Sequence, residues 1–189
     1  MENLYLLAIL PPAQLGGQIH EIREECAHRF NVKAALKPPV HITLFRPFKL
    51  GPVLEKHLLR QLSPAAVHPD IEIILENFDS FNVHTLYIRV VKNPGLSSLQ
   101  RGIARIMNQH KFAPRETKNG NTTFTPHITI AYRDIPAETF PLMWEEYKDR
   151  KFQRKFTADG FTLLKHDGKK WQIFKEYRLK QEPEALTLF

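Results

Sequence analysis

A chain of 189 residues, 42% of them apolar, is long enough to bury a core without an external staple. Its lone Cys26 excludes an internal disulfide, and no Cys-x-x-Cys or Cys/His ligand spacing is present, so a reducing compartment, the cytoplasm, is expected. The net charge of +7 favours phosphate-bearing partners, but Lys and Arg are dispersed, which excludes a histone-like tail.

Leu4 to Leu10 is too short to span a bilayer and ends in Pro11 and Pro12, so it reads as a first strand and no membrane partner is expected. Ala13 to Phe30 carries Leu15, Ile19, Ile22 and Cys26 at helical spacing and reads as an amphipathic helix with Cys26 buried. Val40 to Phe45 is a strand, and Pro52 opens a helix whose Leu54, Leu58 and Leu62 share one face. Residues 71–78 and 84–91 read as two strands around a turn at Asp79 to Val83.

Leu96 to Lys111 is helical, with Leu99, Ile103, Ile106 and Met107 as its apolar stripe, and a polar loop follows from Arg115 to Thr122. Arg101, Arg105, Lys111, Arg115 and Lys118 form a loose basic group suited to guiding RNA. Glu138 to Arg150 makes another helix. Residues 156–166 and 171–179, joined through Asp167 and Gly168, read as a closing hairpin, and 182–189 as a mobile tail. No linker divides the chain, so residues 1–189 are expected to form one domain of two lobes, acting as a monomer.

Within this order one stretch occurs twice. PPVHITLFRPF, residues 38–48, returns as FTPHITIAYRD, residues 124–134. Side chains alternate along a strand, so His41 and Thr43 share one face while Ile42 and Leu44 share the other. His127 and Thr129 stand likewise against Ile128 and Ile130. Pro39 and Pro126 keep the entry to each strand extended. A single histidine in such a run is ordinarily structural. Two matched copies instead suggest lobes related by a pseudo-two-fold axis, with both His-Thr faces turned to one cleft.

Two imidazoles and two hydroxyls around one volume suit acid–base chemistry on a phosphodiester. A neutral imidazole takes the proton of the attacking oxygen and a protonated one supplies the leaving oxygen. Threonine hydroxyls can donate to the non-bridging oxygens, where charge builds. No metal, cofactor or covalent intermediate is required.

The tetrads His41-Ile42-Thr43-Leu44 and His127-Ile128-Thr129-Ile130 resemble the paired HxTx signature of the 2H phosphoesterase superfamily, and the chain is similar over most of its length to the 2'-5' RNA ligase-like (LigT-like) branch. The resemblance implies a bilobal α+β fold: two antiparallel sheets with pseudo-two-fold symmetry around a central groove, and helices outside. It also implies hydrolysis of 2',3'-cyclic phosphodiesters or related nucleotide and RNA phosphodiesters, with RNA 2'-5' joining in some members. His41 and His127 match the acid–base histidines, and Thr43 and Thr129 the phosphate-binding hydroxyls. The partners it implies are RNA ends or small nucleotides with cyclic or 2'-5' phosphodiesters.

By strand parity Phe45 and Arg133 lie on the His-Thr side, Phe45 to stack on a base and Arg133 to reach a phosphate, while Tyr132 and Trp171 read as packing residues. The remaining histidines, His20, His28, His57, His68, His84, His110 and His166, read as surface or capping residues. Two other classes compete with the enzyme: an RNA- or nucleotide-binding module that holds phosphate without turnover, and a metalloprotein using the two histidines. The second lacks a carboxylate or thiolate ligand within either tetrad.

Overall fold

The computed structural model describes residues 2–113 and 124–180. The polar loop with Arg115 and Lys118, and the tail 182–189, lie outside the described residues. Strand β1 (Asn3–Ile9) leads through α1 (Ala13–Phe30) to β2 (Ile42–Leu50), α2 (Glu55–Leu62) and β3 (Ile71–Phe81). Then follow β4 (Thr85–Val90), α3 (Pro94–Gln109), β5 (His127–Tyr132), α4 (Thr139–Tyr147), β6 (Gln153–Ala158), β7 (Gly160–His166) and β8 (Trp171–Arg178).

The strands form two four-stranded sheets, ordered β2-β1-β7-β8 and β5-β4-β3-β6, and every pairing is antiparallel. Each strand carrying a tetrad is therefore an edge strand. Each pairs with the strand that precedes the intervening helix, so the repeated unit is strand, helix, tetrad strand: β1-α1-β2 and β4-α3-β5. It begins one strand earlier than the tetrads themselves suggest.

The helices cross between the units. Helix α1 packs on β5, α3 packs on β2, and β2 and β5 meet. Leu15, Ile19, Ile22 and Cys26 of α1 and Leu96, Leu99, Ile103 and Met107 of α3 are buried, together with Ile42, Leu44, Ile128 and Ile130 of the tetrad strands. Helix α2 is tied to the first sheet through Glu55, whose Oε1 accepts from Lys165 Nζ at 2.7 Å, from Asn3 Nδ2 at 3.0 Å and from the Tyr5 hydroxyl. Among the described residues no helix is long and apolar enough to cross a membrane.

The structure departs from the sequence expectation most plainly in three places, beside smaller shifts such as β2 running on to Leu50 and Leu54 standing exposed. Residues 156–166 are not one strand: the chain leaves β6 in the second sheet, passes Asp159, and enters β7 in the first. Gly160 makes that passage possible, because a Cβ there would come within 2.7 Å of the Tyr177 carbonyl oxygen. Strand β3 runs on to Phe81 through a bulge at Asn77, whose φ is +56°, and the turn expected over Asp79 to Val83 is confined to residues 82–84. Helix α3 starts before Leu96, at Pro94, because the Asn93 side chain accepts from the Leu96 amide at 2.7 Å as an N-cap.

Candidate active site

Each tetrad is built twice in the same way, down to an irregularity that alternation does not show. On β2, Thr43 faces Ala8 and Phe45 faces Leu7, which leaves Leu44 as an extra residue. On β5, Thr129 faces Tyr87 and Ala131 faces Leu86, which leaves Ile130 extra. A β-bulge thus sits immediately after the threonine in both strands, bending the edge and re-aiming the side chains beside it.

The two histidines are held identically. His41 Nδ1 lies 2.7 Å from the Pro39 carbonyl oxygen, and His127 Nδ1 lies 2.8 Å from that of Thr125. A carbonyl only accepts, so Nδ1 carries the hydrogen in each ring, and Nε2 is the nitrogen left for a substrate. Both imidazoles and both threonines are half-buried.

The surroundings of the two rings differ. Burial holds the His41 imidazole down to about 4, aided by the Arg23 guanidinium and by His127 and opposed by the Pro39 carbonyl. Burial also lowers His127, against the Thr125 carbonyl. His127 stands among aromatic rings, with centroids 4.9 Å from Phe81 and 5.0 Å from Tyr87, and those two rings stack at 4.2 Å.

Arg23 of α1 is 1% exposed and reaches the second tetrad and the segment leading into the first. Its Nε donates to the Thr129 carbonyl at 2.8 Å and its Nη1 to the Pro38 carbonyl at 3.2 Å. Nη2 is buried without a partner among the described residues. Burial lowers this guanidinium to about 10, so it remains charged at neutral pH. Asp134, just beyond β5, accepts the backbone amides of Lys33 and Ala34 at 2.7 and 2.9 Å and fixes the approach to His41. Nothing in the tetrads announces Arg23, but α1 did carry a signal: Ile19, Ile22, Arg23 and Cys26 follow helical spacing, so a charge lies within an apolar stripe.

The model of the 2'-5' RNA ligase superfamily matches residues 11–170. The chain belongs to that superfamily. Solved structures similar to it include E. coli LigT complexed with 3'-AMP, at 18% identity and a TM-score of 0.68, covering 96% of this chain and 100% of that one. TT0787 of Thermus thermophilus gives 17% identity and 0.68, covering 97% and 100%. The MHV ns2 PDE domain gives 16% and 0.53, covering 86% and 99%. These likenesses show the shared fold, as expected from the tetrads: two antiparallel sheets in the LigT-like arrangement. Among curated proteins, none matches the chain in sequence.

The other residues singled out by sequence stand variously in this superfamily fold. Phe45 is half-buried, its ring at right angles to that of buried Phe48, with centroids 5.8 Å apart. The bulge at Ile130 breaks the alternation used for Tyr132 and Arg133. Tyr132 is half-buried rather than core, while Arg133 is exposed beyond the strand end, with φ +73° and its guanidinium 6.0 Å from the Tyr132 ring. The bulge at Leu44 stands likewise between Thr43 and Phe45, so parity alone no longer supports either Phe45 or Arg133. Trp171 is half-buried against Leu6, Ala8 and Leu164.

Arg101, Arg105 and Lys111 are exposed. Burial pushes the Cys26 thiol up to about 12, which leaves it unreactive near neutral pH. Among the described residues no group of three or more His, Cys, Asp or Glu is placed to hold a metal ion.

Proposed function

We propose that the chain is a metal-independent phosphoesterase that hydrolyses 2',3'-cyclic phosphodiesters of nucleotides or RNA ends, with His41 as general base and His127 as general acid. The observation that carries this reading is the matched pair of Nδ1–carbonyl hydrogen bonds, which leaves one Nε2 from each tetrad for the two proton transfers. His41, held low, is neutral and takes a proton from the attacking water. As the water oxygen bonds to phosphorus, the bond from phosphorus to one ribose oxygen breaks, and protonated His127 gives that oxygen its proton. Thr43 and Thr129 donate to the non-bridging oxygens.

Support for the substrate class comes from the net charge of +7 and from E. coli LigT, solved with 3'-AMP, NADP+ and ATP. In this reading the chain is a single cytoplasmic domain whose partners are nucleotides or RNA ends. The superfamily description favours a second reaction, 2'-5' RNA joining, in which a ribose hydroxyl takes the place of water and the same two imidazoles serve. A binding module would hold the same ligands without product.

The test is turnover of 2',3'-cyclic nucleotides, cyclic-phosphate-ended RNA and 2'-5' dinucleotides, with chelator present throughout. Replacing His41 or His127 with Ala should lower turnover by on the order of 10² or more. The double variant should be little worse, because the groups act as a unit. Near-wild-type turnover in either folded single variant would overturn the proposal, and so would activity lost to chelator and restored by a divalent metal.

A further inference from the structure

The two halves are alike at the tetrads and unlike behind them. Helices α1 and α3 each pack on the tetrad strand of the opposite unit, and each follows a residue that bounds it, Pro12 and Asn93. Eleven residues beyond those positions stand Arg23 in α1 and Ala104 in α3. Arg23 thus has no counterpart. Its place is costly to fill with a charge: it is 1% exposed, no carboxylate pairs with it among the described residues, and its donors are met by two carbonyls with one nitrogen left over.

One of those carbonyls lies in the second tetrad and the other in the segment that leads into the first. The Thr129 oxygen lies on the threonine of the second. The Pro38 oxygen lies one peptide before the Pro39 oxygen that holds the His41 ring. The fork therefore ties β5 to the segment entering β2, and these two edge strands share no ladder bond. Its charge also stands beside the peptide that orients His41.

We propose that Arg23 is the positioning residue that makes a two-fold repeat directional: its fork sets the spacing of the two tetrads, and its charge, beside the peptide that precedes the His41 anchor, adds to burial in favouring His41 as base and leaving His127 as acid. The inference rests on the two-histidine reading above. The charged and titratable groups around the pair are Arg23 from α1, His127 and Tyr132 from β5, Tyr87 and Arg89 from β4, and Asp79 from β3. Arg89, across from His127, is already paired with Glu76 at 2.7 Å. Tyr87 is held by Asp79. Arg23 is the cation that bears on His41.

The experiment follows the ring nitrogens of His41 and His127 by nitrogen-15 NMR titration of the ligand-free protein, in wild type, Arg23→Lys and Arg23→Gln. Wild-type His41 should titrate below His127. Arg23→Gln should raise the His41 midpoint by about one pH unit and move His127 much less. Arg23→Lys cannot span both carbonyls. It should lower kcat on a 2',3'-cyclic nucleotide about tenfold to a hundredfold with KM little changed.

The idea is overturned if wild-type His41 titrates at or above His127, if Arg23→Gln moves both rings equally, or if Arg23→Lys keeps full kcat. Where Arg23→Gln does not fold, Arg23→Met, which removes the charge from an apolar surrounding, is titrated in its place and must raise the His41 midpoint more than that of His127. The titrations need no turnover, so their failure is distinct from failure of the phosphoesterase reading, which is judged by product formation alone.

Discussion

Tyr87 packs against His127, ring centroids 5.0 Å apart, and stands directly across the β4–β5 ladder from Thr129. One β4 side chain therefore walls both residues of the second tetrad, where the equivalent β1 residue facing Thr43 is Ala8. Burial and the neighbouring Asp79 carboxylate push the Tyr87 hydroxyl up to about 12, which removes it from proton transfer near neutral pH. Tyr87→Phe should then keep most of the turnover. Tyr87→Ala should lower kcat about tenfold or more by freeing His127 to tilt. A large loss in the Phe variant would show that the hydroxyl takes part in the reaction.

Thr43 and Thr129 are expected to meet charge that develops only in the transition state. Thr→Val keeps the branched shape and deletes the donor, so each variant should lose kcat more than affinity. Steady-state kinetics on a cyclic nucleotide, paired with calorimetric binding of a product nucleotide, separates the two. A loss confined to KM would remove the threonines from transition-state stabilisation.

Activity should depend on pH as a bell, since one imidazole must be neutral and the other protonated. Both rings are lowered by burial, so the bell for kcat/KM, which reports the free enzyme, should lie on the acid side of neutral. A bound anionic phosphate favours the protonated acid, so the upper limb of kcat should lie at higher pH than that of kcat/KM. The limbs belong to the coupled pair, not to either ring alone. A profile that only rises with pH would contradict this.

Stability should fall in acid for the same reason. His41 titrates near 4 in the folded protein and near 6.5 when unfolded. Between those values the unfolded chain binds the extra proton, so stability is retained above pH 6.5 and lost as pH falls toward 4, by up to roughly 3 kcal/mol. His127, also lowered, acts in the same direction. Urea midpoints from pH 7 to pH 4 should show the loss, and His41→Gln should flatten it. An unchanged slope in that variant would place the acid sensitivity elsewhere.

Gly160→Ala should destabilise the protein without touching the groove chemistry. Its new methyl meets the Tyr177 carbonyl at 2.7 Å, a backbone atom that cannot swing away. The cost should be on the order of 1–3 kcal/mol, as for other overpacked sites. Thermal and urea unfolding would measure it. A neutral outcome would mean that β7 and β8 separate freely at this point.

The tetrads were legible because chemistry and strand period coincide in them: His41, Thr43, His127 and Thr129 need only alternation to share a side. What lies one residue further was not. The bulges at Leu44 and Ile130 arise from pairing with β1 and β4, and no local property of leucine or isoleucine announces them. Simple alternation does not carry through to Tyr132 and Arg133 there. The switch of sheets at Gly160 is likewise a long-range matter: Asp159-Gly160 signals a break, but nothing local tells that the chain changes sheets there. Arg23 is the opposite case, a charge in an apolar stripe that was visible in α1 but gains meaning only once Pro38 and Thr129 meet above it.

Strand β7 enters the first sheet between β1 and β8, although β1 is made long before β7, which begins only at Gly160. During synthesis His41 therefore emerges early, on a sheet that lacks half of its strands until the residues from Gly160 onward are made. The second sheet waits less, but it too takes β3 from before its own tetrad and β6 from after it. A nascent chain that ends at Ala158 therefore carries His127 on a complete second sheet but His41 on only half of the first. If turnover needs both histidines, as proposed, a chain broken off before β7 should be inert rather than half as active.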